Sequence, residues 1–161
     1  TAFLLALLEV ETGKQFEEGK IHKEYTALVL GSIDHDEGTI TTPLAHHPRK
    51  KKKMIVGETG RPARTTYRVL KRFRDFTLLI VTIETGVRHQ IRVHLASRGY
   101  PLVGDRLYQN PKKRSEDTIQ LERHFLHASS LSFLHPTTGK RMTVKSELPE
   151  DLRNVLKHLD I

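Results

Sequence analysis

Alternating apolar and polar residues along the chain predict a set of β-strands. "KEYTALVLG" (23–31) and "FTLLIVTIE" (76–84) are apolar at successive positions, which is typical of strands buried on both faces. "RTTYRVLKRF" (64–73) alternates strictly, so one face packs and the other presents Arg64, Arg68 and Arg72. The turn at 74–75 predicts that 64–73 forms a hairpin with 76–84. Residues 125–149 predict a second hairpin around a Pro-Thr-Thr-Gly turn.

Apolar residues at helical spacing predict three helices. The first covers 2–18, the second starts after Thr85-Gly86 and runs for about three turns until Gly99 and Pro101, and the third begins at Pro149. The third helix carries an apolar stripe of Leu152, Val155, Leu156 and Leu159. A short strand is expected near 38–42 and a short helix from Ser115. Without repeats or linkers, residues 1–161 predict one α+β domain around a mixed, mainly antiparallel central sheet flanked by helices and loops.

Charge and cysteine content narrow the class of protein. Lys and Arg number 27 against 19 Asp and Glu, a net charge of +8, which favours a polyanionic partner and nucleic acid before membrane. Charge alone is equally consistent with a basic soluble protein. There is no cysteine, which excludes a disulfide framework and a thiolate site and fits a cytoplasmic location. The apolar opening "TAFLLALLEV" is too short to span a bilayer and predicts a core helix, so no membrane partner is expected.

Candidate chemistry concentrates in the second predicted helix. Arg88 and Arg92 are four residues apart, so a helix would place both on one side, where they could bind a carboxylate or phosphates. A solvated basic face is the competing interpretation. His89, His94 and His127 do not indicate a metal site, because His89 and His94 are misaligned on a helix and no H-E-x-x-H motif occurs. A hydrogen-bonded core role is expected for these histidines.

Four stretches of the chain, which begin at Ile21, Arg61, Thr85 and Phe125, resemble in the same order the motifs of the pseudouridine synthases of the ribosomal large-subunit (RluA) type. "TGVRHQIRVHLASRGYPLVGDRLY" (85–108) resembles the family's T-G-R-x-H-Q-I-R-x-H motif followed by G-x-P-[LI]-x-G-D-x-x-Y. "IHKEYTALVLG" resembles K-x-Y-x-A-x-V-x-G, and "RPARTTYRVL" resembles K-x-A-x-T-x-Y-x-V. "FLHASSLSFLHPTTGKRM…LP" resembles L-H-A-x-x-L-x-F-x-H-P-x-T-G-x-x-x…P. Together the motifs cover nearly the whole chain.

The resemblance implies the pseudouridine synthase fold and a reaction. The family isomerises uridine to pseudouridine in RNA by breaking the N-glycosidic bond, rotating the uracil and joining it through C5, without metal or cofactor. Carried over by motif, Arg92 pairs with the catalytic aspartate and holds it ionised. Tyr25 stacks on the target base and transfers the proton at C5, and Leu126 packs on the other side of that base. Flat and apolar walls suit a flipped base, and a nucleophilic carboxylate requires a fixed cation.

This sequence departs from the family pattern at two places. Val87 stands where the family has an arginine after Thr-Gly, so Arg88 supplies that contact or it is absent. The nucleophile motif R-L-D-x-x-T-[ST]-G does not occur: none of the aspartates follows Arg-Leu, and they are Asp34, Asp36, Asp75, Asp105, Asp117, Asp151 and Asp160. The family spacing places the nucleophile upstream of Thr1, which predicts a catalytic domain incomplete at its N-terminal side. Asp105 is expected to be a structural carboxylate at a turn.

The resemblance gives the basic residues a predicted partner, which is RNA, either rRNA or tRNA. The predicted phosphate contacts are Arg49, Lys50, Lys51, Lys52, Lys53, Arg61, Arg64 and Arg88. Charge runs are also common in solvated loops. We expect a cytoplasmic monomer that is a synthase. A non-catalytic RNA-binding relative and a basic ribonucleoprotein component are the alternatives.

Overall fold

A computed structural model describes Gln15, residues 21–110, Ile119 and residues 121–159. The predicted helix at 2–18, apart from Gln15, and the short helix predicted from Ser115 therefore lie outside the described residues. Gln15 is buried, and its amide binds both backbone groups of Leu134, with Nε2 donating to the carbonyl oxygen at 2.8 Å and Oε1 accepting from the amide nitrogen at 2.9 Å.

The described chain forms eight strands and two helices. They are β1 (His22–Leu30), β2 (Glu37–Ile40), β3 (Leu44–His46), β4 (Met54–Val56), β5 (Thr65–Arg72), β6 (Phe76–Ile83), α1 (Gln90–Ser97), β7 (Leu126–Leu134), β8 (Arg141–Lys145) and α2 (Glu150–Leu159). Six strands form one sheet in the order β2-β5-β6-β1-β7-β8, and β3 and β4 form a separate hairpin. Every described strand pair is antiparallel. The predicted α+β class is confirmed, as are the hairpins β5–β6 and β7–β8.

The sheet has an apolar core on each face. Alternate residues of the two central strands, Ala27 and Val29 of β1 and Leu79 and Val81 of β6, pack with Ile91 and Leu95 of α1. On the opposite face, Leu28 packs with Phe76, Val103, Phe125 and Leu152 of α2. The prediction that 23–31 and 76–84 are buried on both faces is thus confirmed at the centre of the sheet, where β1 and β6 pair from Lys23–Ile83 to Leu30–Phe76.

The hairpin β3–β4 was not predicted from the sequence. Each strand has three residues, and Leu44 and Met54 point into a small core with Ala63 and Val93. Polar and basic residues surround these few apolar positions, so no periodicity is visible over three residues. The connection between the two strands contains the basic residues 49–53.

Candidate active site

The first turn of the predicted second helix is instead a loop stabilised by Gln90. The side-chain oxygen of Gln90 accepts hydrogen bonds from the Thr85 hydroxyl at 2.8 Å and from the Val87 N–H at 3.1 Å. Its Nε2 donates to the Arg64 carbonyl oxygen at 2.9 Å and to Thr65 Oγ1 at 3.0 Å. These four bonds tie residues 85–89 to β5, and α1 begins only at Gln90.

Two predictions about this helix were therefore wrong. The helix does not start directly after Thr85-Gly86 and is shorter than three turns: it has eight residues from Gln90, and its N-cap is His89, whose φ of 56° lies in the left-handed region. Arg88 precedes the helix and is exposed, so Arg88 and Arg92 do not share one helical face. The predicted end is confirmed, because Gly99 has φ 87° and the N–H groups of Gly99 and Tyr100 donate to Ala96 and Leu95 in a Schellman arrangement.

Arg92 binds a buried carboxylate within the described chain. Its Nε donates to Asp105 Oδ2 at 2.8 Å and its Nη2 to Asp105 Oδ1 at 2.7 Å. The side chain of Arg92 is 15% exposed and that of Asp105 is 0% exposed. A bidentate pair this well shielded from solvent fixes the plane of the guanidinium.

Asp105 also closes the turn in which it lies. Its Oδ1 accepts hydrogen bonds from the N–H groups of Leu107 at 3.1 Å and Tyr108 at 3.3 Å. Burial by itself raises the pKa of this carboxyl, but the hydrogen bonds and charge of Arg92, together with the two N–H groups, bring the pKa below its ordinary value. Asp105 is thus an ionised turn carboxylate, as expected from the sequence.

Gly104 allows this turn to pack. Its φ is 73°, and a Cβ at this position would overlap the backbone carbonyl oxygen of Arg123. Only glycine adopts this positive φ without strain and also leaves room for the neighbouring backbone. The Gly-Asp pair of the sequence is therefore explained by a close backbone contact at the first residue and an ion pair at the second.

Tyr108 connects α1 to the hairpin β3–β4. Its hydroxyl lies 2.9 Å from His89 Nδ1 and accepts a 2.9 Å hydrogen bond from the Met54 N–H. Its ring faces two cations, with the Arg92 guanidinium carbon 5.0 Å and Lys53 Nζ 5.3 Å from the ring centroid. The basic hairpin and Arg92 therefore share one aromatic contact.

Several groups around Arg92 have shifted pKa values. Burial is the largest cause at His89 and His124 and lowers both pKa values, and the positive charge of Arg92 lowers them further. Burial also raises the pKa of the Tyr108 phenol. Near neutral pH these three groups are uncharged, so the lysine and arginine side chains around them, Arg92, Arg88 and Lys53, supply the positive charge of the site.

Tyr25 and Leu126 lie on neighbouring strands of the sheet. Tyr25 of β1 pairs with Ala128 of β7, and Leu126 of β7 pairs with Ala27 of β1. Both side chains are half-buried and pack against the same core cluster as Ile91 and Leu95 of α1. A cleft of about 310 Å³ opens beside Tyr25, and the other residues lining it are Lys23, Ala128, Ser129, Ser130, Leu131, Val144, Lys145 and Ser146. Burial raises the pKa of the Tyr25 phenol.

The predicted phosphate contacts cluster on the hairpin β3–β4 and beside it. Residues 49–52 are exposed between the two strands, and Lys53 is half-buried against Tyr108. Arg61 is exposed, and its backbone pairs with Leu44 of β3. Arg64 is exposed and lies 3.5 Å from Glu84.

The prediction that Arg68 and Arg72 share one face of the strand is wrong. The register of β5 shifts between Val69 and Lys71, so Arg68 pairs with Ile80 and Arg72 with Thr77, and the two side chains lie on opposite faces. Arg68 is exposed. Arg72 donates to the carbonyl oxygens of Ile33 and Asp34 and to the Asp36 carboxylate at 2.6 Å. It therefore secures the loop before β2.

His94 is a fully buried histidine whose ring nitrogens are both bonded. Nε2 lies 2.8 Å from the Thr42 carbonyl oxygen, which can only accept, so Nε2 carries the proton and Nδ1 accepts from the Thr65 hydroxyl at 2.8 Å. The core role predicted for the three histidines is confirmed for His94. His89 and His127 are hydrogen-bonded but only half-buried. Among the described residues no group of three or more metal-ligating side chains occurs.

His94 predicts a fall in stability at acidic pH. Burial lowers the pKa of His94 below its ordinary value, so the unfolded chain binds a proton that the folded chain resists. The free energy of unfolding should be highest above about pH 6.5 and decrease as the pH falls from there towards the lowered pKa. Urea unfolding of wild type and His94→Gln at pH 7.5 and 5.5 measures this loss of stability. If His94→Gln lost as much stability as wild type between these two pH values, His94 would not be its cause.

Comparison with known proteins identifies the family. The sequence profile of the RNA pseudouridylate synthase family matches residues 9–97, more than half of the chain. The chain belongs to the RNA pseudouridylate synthase family. The matched region includes Tyr25 and Arg92, and the family resemblance of the motifs is thereby confirmed.

Two curated relatives match most of this chain. An uncharacterized RNA pseudouridine synthase of Chloroflexus aurantiacus is 44% identical over 145 residues, which are 90% of this chain and 44% of that protein. The ribosomal large subunit pseudouridine synthase D of Nitrosomonas europaea is 40% identical over 152 residues, which are 92% of this chain and 44% of that protein. The chain thus spans less than half the length of these two relatives.

A solved structure has the same fold. Human RNA pseudouridylate synthase domain containing 1 superposes with a TM-score of 0.74 at 24% identity, over 94% of this chain and 70% of that chain. This likeness confirms the predicted fold. No helix in the described part of the chain is long and apolar enough to cross a membrane.

Sequence reasoning missed three residues of this site. Tyr108, His89 and His124 surround Arg92 but were given no functional role. The signal for Tyr108 was the G-D-x-x-Y spacing, which places an aromatic ring three residues after the carboxylate that binds Arg92.

The structure also shows where Val87 lies, the residue that replaces an arginine of the family motif. Val87 packs against the small core of Leu44 and Met54, so its side chain is apolar and points inward, whereas Arg88 is exposed.

Proposed function

We propose that the complete protein containing this chain isomerises uridine to pseudouridine in RNA. The observation that carries the proposal is a rigidly held, almost buried arginine, Arg92, on the helix that covers the face of the sheet bearing Tyr25 and Leu126. Membership of the RNA pseudouridylate synthase family supports the proposal. The catalytic aspartate is proposed to come from the segment N-terminal to Thr1.

Each side chain has a proposed role. Arg92 holds the nucleophilic aspartate ionised through charge and hydrogen bonds. Tyr25 stacks on the flipped uracil and relays the proton at C5; its raised pKa keeps it a neutral phenol near neutral pH. Leu126 forms the apolar wall opposite, and the cleft beside Tyr25 gives the flanking nucleotides space. No cofactor is needed, because the reaction only exchanges a C–N bond for a C–C bond.

The proposed RNA contacts lie on the hairpin β3–β4 and the residues beside it. The contacts are Arg49, Lys50, Lys51, Lys52, Lys53, Arg61, Arg64 and Arg88. All but the half-buried Lys53 are exposed, and this exposure and the high positive charge suit a phosphate backbone. Large-subunit rRNA is the first substrate to test, since the Nitrosomonas europaea relative is named for it. Transfer RNA is the second substrate to test.

The protein is proposed to act as a cytoplasmic monomer. Residues 1–161 are proposed to form part of one catalytic domain.

Nucleoside analysis tests this proposal. The complete protein is incubated with a large-subunit rRNA transcript and, separately, with unmodified tRNA transcripts, and the digested RNA is analysed by chromatography with mass spectrometry. A new pseudouridine peak in one transcript, absent with a Tyr25→Ala variant, is expected. RNA binding without pseudouridine in any transcript would favour a non-catalytic RNA-binding relative instead.

A further inference from the structure

The guanidinium of Arg92 has two edges that can each bind a carboxylate. One edge presents the Nε and Nη2 hydrogens and the other presents those of Nη1 and Nη2. Asp105 occupies the first edge, through the 2.8 Å bond from Nε and the 2.7 Å bond from Nη2. Among the described residues, no acceptor other than Asp105 binds Arg92, which leaves the second edge available.

Three further contacts fix the orientation of that available edge. The Asp105 carboxylate cannot rotate, because Oδ1 also accepts from the Leu107 and Tyr108 N–H groups. The Tyr108 ring lies over the guanidinium at 5.0 Å. The Tyr108 hydroxyl is itself held by the Met54 N–H. Arg92 is therefore constrained in its plane by Asp105 and across its plane by Tyr108.

We propose that Asp105 is a positioning residue, which binds the Nε–Nη2 edge of Arg92 so that the Nη1–Nη2 edge is presented to the nucleophilic carboxylate. The proposal rests on the function proposed above. Asp105 acts through Arg92, touches no substrate, and stays ionised while the reaction proceeds. A lysine could not replace this arginine, because an ammonium has no two planar edges to bind two carboxylates at fixed angles.

Asp105→Asn in the complete protein is the direct test. The asparagine oxygen still accepts from Leu107 and Tyr108, so the turn is preserved, but its NH₂ group opposes the Nε–H of Arg92. We expect the single-turnover rate of pseudouridine formation to fall about 100-fold, the cost of a displacement near 1 Å. The Kd for RNA should remain within about threefold, because Asp105 is buried away from the phosphate contacts.

Asp151→Asn is the matched control. Asp151, in the first turn of α2, binds Arg123 through both oxygens, at 2.7 and 3.1 Å, and both side chains are exposed. The same substitution there should leave the rate unchanged. A rate for Asp105→Asn within about threefold of wild type, or a loss matched by an equal loss of folded protein, would overturn the proposal.

A second variant and a second measurement test the proposal even if Asp105→Asn fails to fold. Arg92→Lys retains the charge beside Asp105 and should fold but lose turnover; wild-type turnover by this variant would also overturn the proposal. NMR of the Arg92 Nε–H reports placement without catalysis. The signal should be protected from exchange in wild type and lose protection in Asp105→Asn. If wild type makes no pseudouridine, the proposed function fails, and the NMR result still decides whether Asp105 holds Arg92.

Discussion

Arg92→Ala in the complete protein is expected to abolish pseudouridine formation while leaving RNA binding almost unchanged. The variant removes the cation proposed to hold the nucleophile, whereas the proposed phosphate contacts are other residues, on and beside the hairpin β3–β4. It also leaves Asp105, 1% exposed, without its counter-charge. The free energy of unfolding should therefore fall by about 3 kcal/mol, the usual cost of breaking a buried ion pair on one side.

Three measurements separate these effects. Urea unfolding gives the stability loss, filter binding gives the Kd for RNA, and turnover is measured where the variant is folded. Arg123→Ala is the control, since it removes the exposed partner of Asp151 and should change stability little and turnover not at all. Near-normal turnover by Arg92→Ala would refute its assignment to the nucleophile, and a large rise in Kd would reassign it to RNA binding.

Neutralising the basic connection of β3–β4 is expected to weaken RNA binding and its dependence on salt. Lys50→Gln, Lys51→Gln and Lys52→Gln together remove three exposed charges. If each contacts a phosphate, the slope of log K against log salt should become shallower by roughly two to three units. The single-turnover rate at saturating RNA should be unaffected, because the catalytic roles are proposed for Arg92, Tyr25 and Leu126 and not for these lysines.

A matched triple variant controls for total charge. Lys140→Gln, Arg153→Gln and Lys157→Gln remove three exposed cations near β8 and on α2, outside the hairpin β3–β4. Titrations of both triple variants across a range of salt concentrations should show a shallower slope only for the hairpin variant. Equal slopes would indicate that residues 50–52 are a solvated loop.

The sheet was predictable because its central strands carry unambiguous patterns. β1 and β6 are apolar at successive positions, which predicts buried central strands, and the turn at 74–75 predicts the hairpin β5–β6; the sheet contains both. The hairpin β3–β4 was not predictable, since three-residue strands are too short to show alternation. The start of α1 was missed because a single side chain, Gln90, binds the preceding loop and keeps it out of the helix.

Only part of the candidate site was predicted from the sequence. Arg92, Tyr25 and Leu126 came from motif resemblance, and their catalytic roles remain predictions. The partner of Arg92 within the described chain could not be read from the sequence, because Asp105 lies thirteen residues away and meets Arg92 only through the turn after α1. Periodicity reports which face of an element is buried, and it does not report which side chains meet from different elements.

Release of tritium from RNA labelled at C5 of uridine tests the central claim most directly. Formation of the new C–C bond displaces the C5 hydrogen, so release reports the isomerisation itself. The measurement uses the complete protein and a variant with the upstream aspartate of its nucleophile motif changed to asparagine. We predict release by wild type and none by the variant. Equal release by both would contradict the proposed nucleophile, and no release by wild type from rRNA or tRNA would contradict synthase activity.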